Sequence, residues 1–272
     1  MPMNKIDYKS LEKPLKMLFK VEISEKTAFK DEYTFKLFDI DILPDKTSFW
    51  SGHQHIEIIR KQSLIDALPG NDVDLFVQQI SAALHQLTLK IGFNGMPVSV
   101  EKQNELWQKW LAIRENVAST YTGNWIDSTL IAVDKKMLPG EALTEHTKQD
   151  LFFNEYFRGV YDANFVENNF NRKREVYGLC PFPIWFNEKW TLQTSANQKL
   201  IKFSGNWAKN VDQPRFYNWL KTKTDNDITE ISVEGFYQID PITGWCNALE
   251  STYSLIANSS YIKTLKITLT TN

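Results

Sequence analysis

His53-x-His55 is the one close histidine pair in this chain, and on a strand both imidazoles would project from one face. That spacing suits two ligands of a zinc or copper ion. Glu57 continues the same face, but a complete site needs ligands from other elements; the competing reading is two surface histidines in a turn before a strand. Asp39, Asp41 and Asp45 make a carboxylate-rich stretch after a predicted strand. Calcium loops require more oxygen ligands and a glycine for the bend, and glycosidase acid/base work depends on separation across a cleft. A solvated turn is the expectation. Cys180 precedes Pro181-Phe182-Pro183 with no neighbouring base to lower its pKa, and Ser51-Gly52 and Ser204-Gly205 lack the G-x-S-x-G elbow of hydrolases. The motifs therefore imply no catalytic residue, no metal and no cofactor. An enzyme would have to assemble its site from distant residues, with His85 or His146 beside carboxylates.

Aromatic side chains are the unusual feature, at 13% of the chain with 9 Trp, 17 Phe and 10 Tyr. Rings carry much of the burial energy of cores and interfaces, so this surplus serves a large core, an adhesive surface, or both. Trp107 and Trp110 lie three apart on a predicted helix and share a face, either packed on a sheet or forming a groove wall with Trp185, Phe186, Trp190, Trp207 and Trp219. Two prolines deny Pro181-Phe182-Pro183-Ile184-Trp185-Phe186 regular ladder bonding, which predicts an extended loop or an edge. So apolar a loop must be covered by its own domain or offered to a partner. Phe182, Trp185, Phe186, Trp107, Trp110 and Trp219 are accordingly the candidate binding residues.

Charge excludes more than it suggests. The 31 Lys+Arg stand against 33 Asp+Glu for a net −2, whereas duplex binding calls for a positive excess. Arg172-Lys173-Arg174 is the one dense basic run; with Glu167 and Glu175 nearby it reads as a solvated loop, and no nucleic-acid partner is expected. Cys180 and Cys246 make no disulfide framework and read as half-buried thiols. Residues 1–20 scatter lysines at 5, 9, 13, 16 and 20 without an apolar core, and no stretch approaches the ~18–20 apolar residues of a membrane span. A cytoplasmic location is the expectation.

The elements fall into three blocks. Strand signals occupy 15–60, with β-branched and aromatic runs at 15–23, 33–40 and 54–60. A helical block covers 72–161. Asp72, after the Pro69-Gly70-Asn71 break, is read as an N-cap for a stripe of Val73, Phe76, Val77, Ile80, Leu84 and Leu87. Leu87, Leu89 and Ile91 then alternate, and Asn94-Gly95 reverses the chain into 98–100, with Pro97 suggesting an edge strand. Helices are predicted at 101–119, 127–138 and 141–161, and a loop at 164–173. Strands return over 175–270, interrupted by a short helix at 214–220; Leu265, Ile267 and Leu269 should be the buried face of the last one. This order predicts an α+β fold: a curved, mainly antiparallel sheet built from N- and C-terminal strands, the helical block on one face, and a single domain over 1–272.

Asp240-Pro241-Ile242-Thr243-Gly244 lies between two of those strands. A strand–Asp–x–x–Thr–Gly–strand return in a long twisted sheet resembles those of lipoprotein-carrier folds, half-barrels that cup an acyl chain. That resemblance implies a cavity for an apolar ligand. The first functional expectation is nevertheless a non-enzymatic protein-binding role, as an assembly subunit or a neutralising partner. The second is a carrier of an apolar small molecule or lipid between sheet and helices; the third is an enzyme without a recognisable motif.

Overall fold

The computed structural model describes residues 3–45, 53–65, 72–195, 198–209, 213–225, 230–257 and 260–271. In chain order, β1 (Met3–Asn4), β2 (Leu15–Lys26), β3 (Asp31–Pro44) and β4 (Gln54–Ile65) lead into α1 (Asp72–Ser81), β5 (Gln86–Ile91) and β6 (Pro97–Val100). Then come α2 (Gln103–Thr120), α3 (Asn124–Met137), α4 (Glu141–Lys148) and α5 (Leu151–Tyr156). The rest is β7 (Phe165–Val166), β8 (Asn169–Val176), β9 (Ile184–Ser195), β10 (Gln198–Trp207), α6 (Gln213–Lys221), β11 (Glu230–Ile239), β12 (Cys246–Ala257) and β13 (Tyr261–Thr271). The Pro69-Gly70-Asn71 and Ser51-Gly52 breaks lie outside the described residues.

All strands join one open antiparallel sheet in the order β1-β7-β8-β9-β10-β11-β12-β13-β2-β3-β4-β5-β6. The two ends of the chain meet in its middle, where 262–271 of β13 pairs with 17–26 of β2. Period-two burial does the packing. Met17, Phe19 and Val21 of β2, Ile56 and Ile58 of β4, and Leu265, Ile267 and Leu269 of β13 join one hydrophobic cluster with Phe76, Trp110, Val117, Leu130 and Phe152 from the helices. The fold is thus α+β and mostly antiparallel sheet.

Both predicted reversals are present. Asn94-Gly95 closes the β5–β6 hairpin: the Gly92 amide donates to the Met96 carbonyl at 2.9 Å, and Gly95 adopts φ +69°. At Asp240, one carboxylate oxygen accepts the amides of Ile242 and Thr243 at 2.7 and 2.9 Å, and Gly244 turns at φ +74°. An Asx turn of this kind is why aspartate begins such returns.

Five expectations are corrected. The 141–161 helix breaks at Asp150, whose side chain caps α5 by accepting the Phe152 amide at 3.0 Å. The α1 stripe buries only Phe76, leaving Val73 and Val77 about half exposed, because the helix spans just ten residues on the rim of the core. Residues 164–173 are not a loop: Glu167 and Asn168, at φ 49° and 64°, make a two-residue turn between β7 and β8. Finally, β9 begins at Ile184 and lies between β8 and β10, so Trp185 and Phe186 belong to an interior strand rather than an edge. Both cysteines are free and buried rather than half-buried.

A Cβ on Gly95 would lie 2.3 Å from the Tyr161 ring. Gly95→Ala therefore combines a left-handed backbone penalty with a clash, and should lower stability by more than ~1 kcal/mol in urea unfolding. An unchanged midpoint would show that the turn relaxes freely.

Candidate functional site

Two concavities flank α5. The first is polar. Alternation along β8 puts Phe170, Arg172, Arg174 and Val176 on one face, and register sets Arg172 opposite Glu188 of β9. Asn154 and Glu155 of α5, Arg158 just beyond it, and Ser251 and Tyr253 of β12 meet them. Arg174 joins both carboxylates, at 3.0 Å to Glu155 and 3.0 Å to Glu188. It also donates to the Asn154 side chain at 2.8 Å and to the Tyr253 hydroxyl. Arg158 lies 3.5 and 3.4 Å from the same two carboxylates and rests 3.6 Å over the Phe203 ring. Ser251 and Tyr253 donate to Glu155 at 2.6 and 2.5 Å, and the Trp190 indole donates to Glu188 at 2.8 Å. Arg158, Arg174, Glu155 and Glu188 are all buried. The basic run expected in a solvated loop is thus part of a strand, with Arg174 turned inward and stabilised there by two carboxylates.

Burial alone would raise the Glu155 carboxyl, but the charges of Arg158 and Arg174, with the Ser251 and Tyr253 hydrogen bonds, outweigh it and hold Glu155 at about 2. Glu188 is lowered the same way, its desolvation overcome by Arg174 and Arg158. Above this cluster opens a cleft of about 410 Å³ whose lining includes Phe153, Arg172, Lys173, Glu175 and Trp185.

The second concavity is apolar, about 230 Å³, on the other side of α5. Cross-strand pairs Phe19–Phe38, Val21–Lys36 and Ile23–Thr34 make its floor, and Leu151 and Phe152 its wall. An adjoining hollow of about 160 Å³ shares Lys36, Phe38, Arg60 and Asp150 and adds His85. Arg60 and Asp150 pair at 2.8 Å where the two meet.

The sequence-derived candidates scatter. Phe182, Phe186 and Trp110 are buried in the core, the last donating to Asp134 at 2.9 Å. Trp107 is half-buried on α2. Trp219 stands edge-on to Phe182 at 6.0 Å, far along the chain from either concavity's lining. Only Trp185 reaches the polar cleft, with Lys173 5.2 Å from its ring centre. His53 and His55 flank the buried Gln54, His53 lying 5.7 Å from the Phe93 ring; among the described residues no group of three metal-ligating side chains forms. His85 does share a hollow with Asp74 and Asp150. Burial, then Arg60 and Lys109, lower its pKa, so it is neutral near pH 7. Asp150 is engaged by Arg60 and the Phe152 amide. Burial pushes the Cys180 thiol up to about 12, which leaves it unreactive. Glu155, Arg158 and Glu188 were missed by sequence reading; the one available signal was Arg172-x-Arg174 read with period two.

No family model matches the chain, and no curated protein matches it. Among the described residues no helix is long and apolar enough to cross a membrane.

The sign of the Glu155 shift sets an acid dependence. Its folded value is depressed from the ordinary 4.5 to about 2, so its contribution is fully present above about pH 4.5 and is lost as pH falls toward 2. Thermal stability should therefore fall steeply across that window, read as a drop in Tm. Glu155→Gln, which leaves two buried guanidiniums sharing the single carboxylate of Glu188, should cost ~3–5 kcal/mol near neutrality and flatten the acid slope. A variant that keeps the wild-type slope would remove Glu155 from the linkage. If the variant does not fold, the wild-type slope itself decides.

Proposed function

We propose that this chain is a binding protein, working as one unit across 1–272, that takes an apolar ligand into the groove between β2, β3 and α5. In this reading the sheet is curved, with the helical block on the concave face, and the groove is where that cover ends. A single observation carries it: Val21, Phe19, Phe38, Leu151 and Phe152 bound an apolar hollow open at one side. Its volume is below the ~300–1,000 Å³ of typical small-molecule sites, but the adjoining hollow continues it toward Lys36 and the Arg60–Asp150 pair. A hydrocarbon chain ending in a polar head matches that gradient. Binding is favoured over catalysis because His85 has no hydrogen-bonded carboxylate to orient it among the described residues, and no activated nucleophile accompanies it. A protein partner loses support because three of the aromatic residues that would carry it are core residues.

Thr34 is exposed and lines the groove opposite Ile23, so Thr34→Trp should fill it from the strand side without disturbing the core. Organic extraction of the purified protein followed by mass spectrometry should recover an apolar molecule from wild type and little from the variant. Dodecanoate should raise the Tm of stripped wild type and leave that of Thr34→Trp unchanged. An empty extract together with a dodecanoate-insensitive Tm would end the proposal.

A further inference from the structure

The polar cleft holds a charge that the buried cluster answers only in part, through Glu188 across the ladder and the Trp190 ring 5.7 Å away. Arg174 and Arg158 share Glu155 and Glu188 between them. Lys148 is paired with Glu145 at 2.7 Å. Arg172 is different. It is half-buried, lines the same cleft, and donates to the main-chain carbonyls of Arg158 and Gly159 at 2.8 and 3.2 Å. Among the described residues no carboxylate lies within ion-pair distance of it; Glu188, directly across the ladder, is engaged by Arg174, Arg158 and Trp190, and Asp162 acts only from farther away.

A guanidinium is always charged and presents five donors in a planar fork. Carbonyl contacts at one nitrogen leave most of that fork uncommitted. Desolvation first, then the like charge of Arg174 and that of Arg158, disfavour the charged state of Arg172 more than Glu188 and Asp162 support it, and an arriving anion would offset the remainder. Packing fixes its place: Gly159, at φ +74°, leaves room that a Cβ would take, 2.3 Å from the Arg172 guanidinium. Phe153, Phe157 and Trp185 are among the residues lining the cleft, so aromatic rings share it with the guanidinium.

We propose that this cleft binds a small organic anion, with its carboxylate or phosphate on Arg172 and its apolar or aromatic body against those rings. The site is separate from the apolar groove and does not depend on what occupies that groove.

Isothermal titration with phenyl phosphate, benzoate and inorganic phosphate, at ionic strength held constant with sodium chloride, tests it. At least one of the aromatic anions should bind saturably, and benzylamine, a cation of similar shape, should not. Phenyl phosphate binding with benzoate silent assigns a phosphoryl ligand; the reverse assigns a carboxylate. Arg172→Gln should weaken the interaction at least tenfold, whereas Thr34→Trp should leave it unchanged. Absence of saturable binding by both aromatic anions, or equal binding of benzylamine, would overturn the proposal, as would full affinity in a folded Arg172→Gln protein. Should that variant not fold, Trp fluorescence provides the second arm. Trp185 emission should change with the bound anion in wild type and not in Trp185→Phe; a change that persists in Trp185→Phe places the anion elsewhere and rejects the site.

Discussion

Two carboxylates and two guanidiniums, removed from water together, are the constraint around which the C-terminal half is organised. Removing an ion from water costs several kcal/mol, so no one of Glu155, Glu188, Arg158 and Arg174 would stay buried without the others. Their sources are far apart in sequence: α5 and the residues just after it, the adjacent strands β8 and β9, and, through Ser251 and Tyr253, β12. The set therefore specifies where α5 can dock. A sliding helix would separate charges that have no alternative partners in the core, whereas aliphatic contacts would tolerate such slippage. Phe203 completes the arrangement by offering its ring face to Arg158.

α5 is consequently a partition. Phe152 faces the apolar groove, Phe153 and Asn154 face the polar cleft, and Glu155 anchors the helix between them. The cap at Asp150 matters twice, since the carboxylate that starts the helix also holds Arg60 at the end of the groove. One turn and a half of helix thus separates two chemically opposite hollows.

How much of this was legible in the sequence depends on whether local pattern or distant contact decides. The alternation of Leu87, Leu89 and Ile91, the Asn94-Gly95 reversal, and the buried face of the last strand are local, and all are present as read. The Asp240 return is likewise local, because the aspartate hydrogen-bonds its own backbone. What failed was decided at a distance. Arg172-Lys173-Arg174 has loop composition until Glu155 and Glu188 arrive to stabilise the inward-facing Arg174. The α1 stripe has helical period, yet periodicity does not say how much core is in reach: Phe76 is fully buried, Ile80 and Leu84 pack against the core in part, and Val73 and Val77 stay about half exposed. The aromatic segment after Pro183 reads as irregular because prolines dominate the local signal, while pairing with β8 and β10 prevails from Ile184 onward. Of the site, the sequence offered Trp185 and the hollow between sheet and helices, but not the charges beneath.

The rims of the sheet differ from its middle. At one, β1 pairs just two residues with β7; at the other, β6 begins with Pro97, which has no N–H, and the Val100 amide is already taken by the Thr144 hydroxyl at 3.1 Å. At these two outermost strands a foreign polypeptide arriving as an extra ribbon would find little main chain to template on. Edge-to-edge growth from these two outermost strands is thereby discouraged even though the scaffold is wide and unclosed.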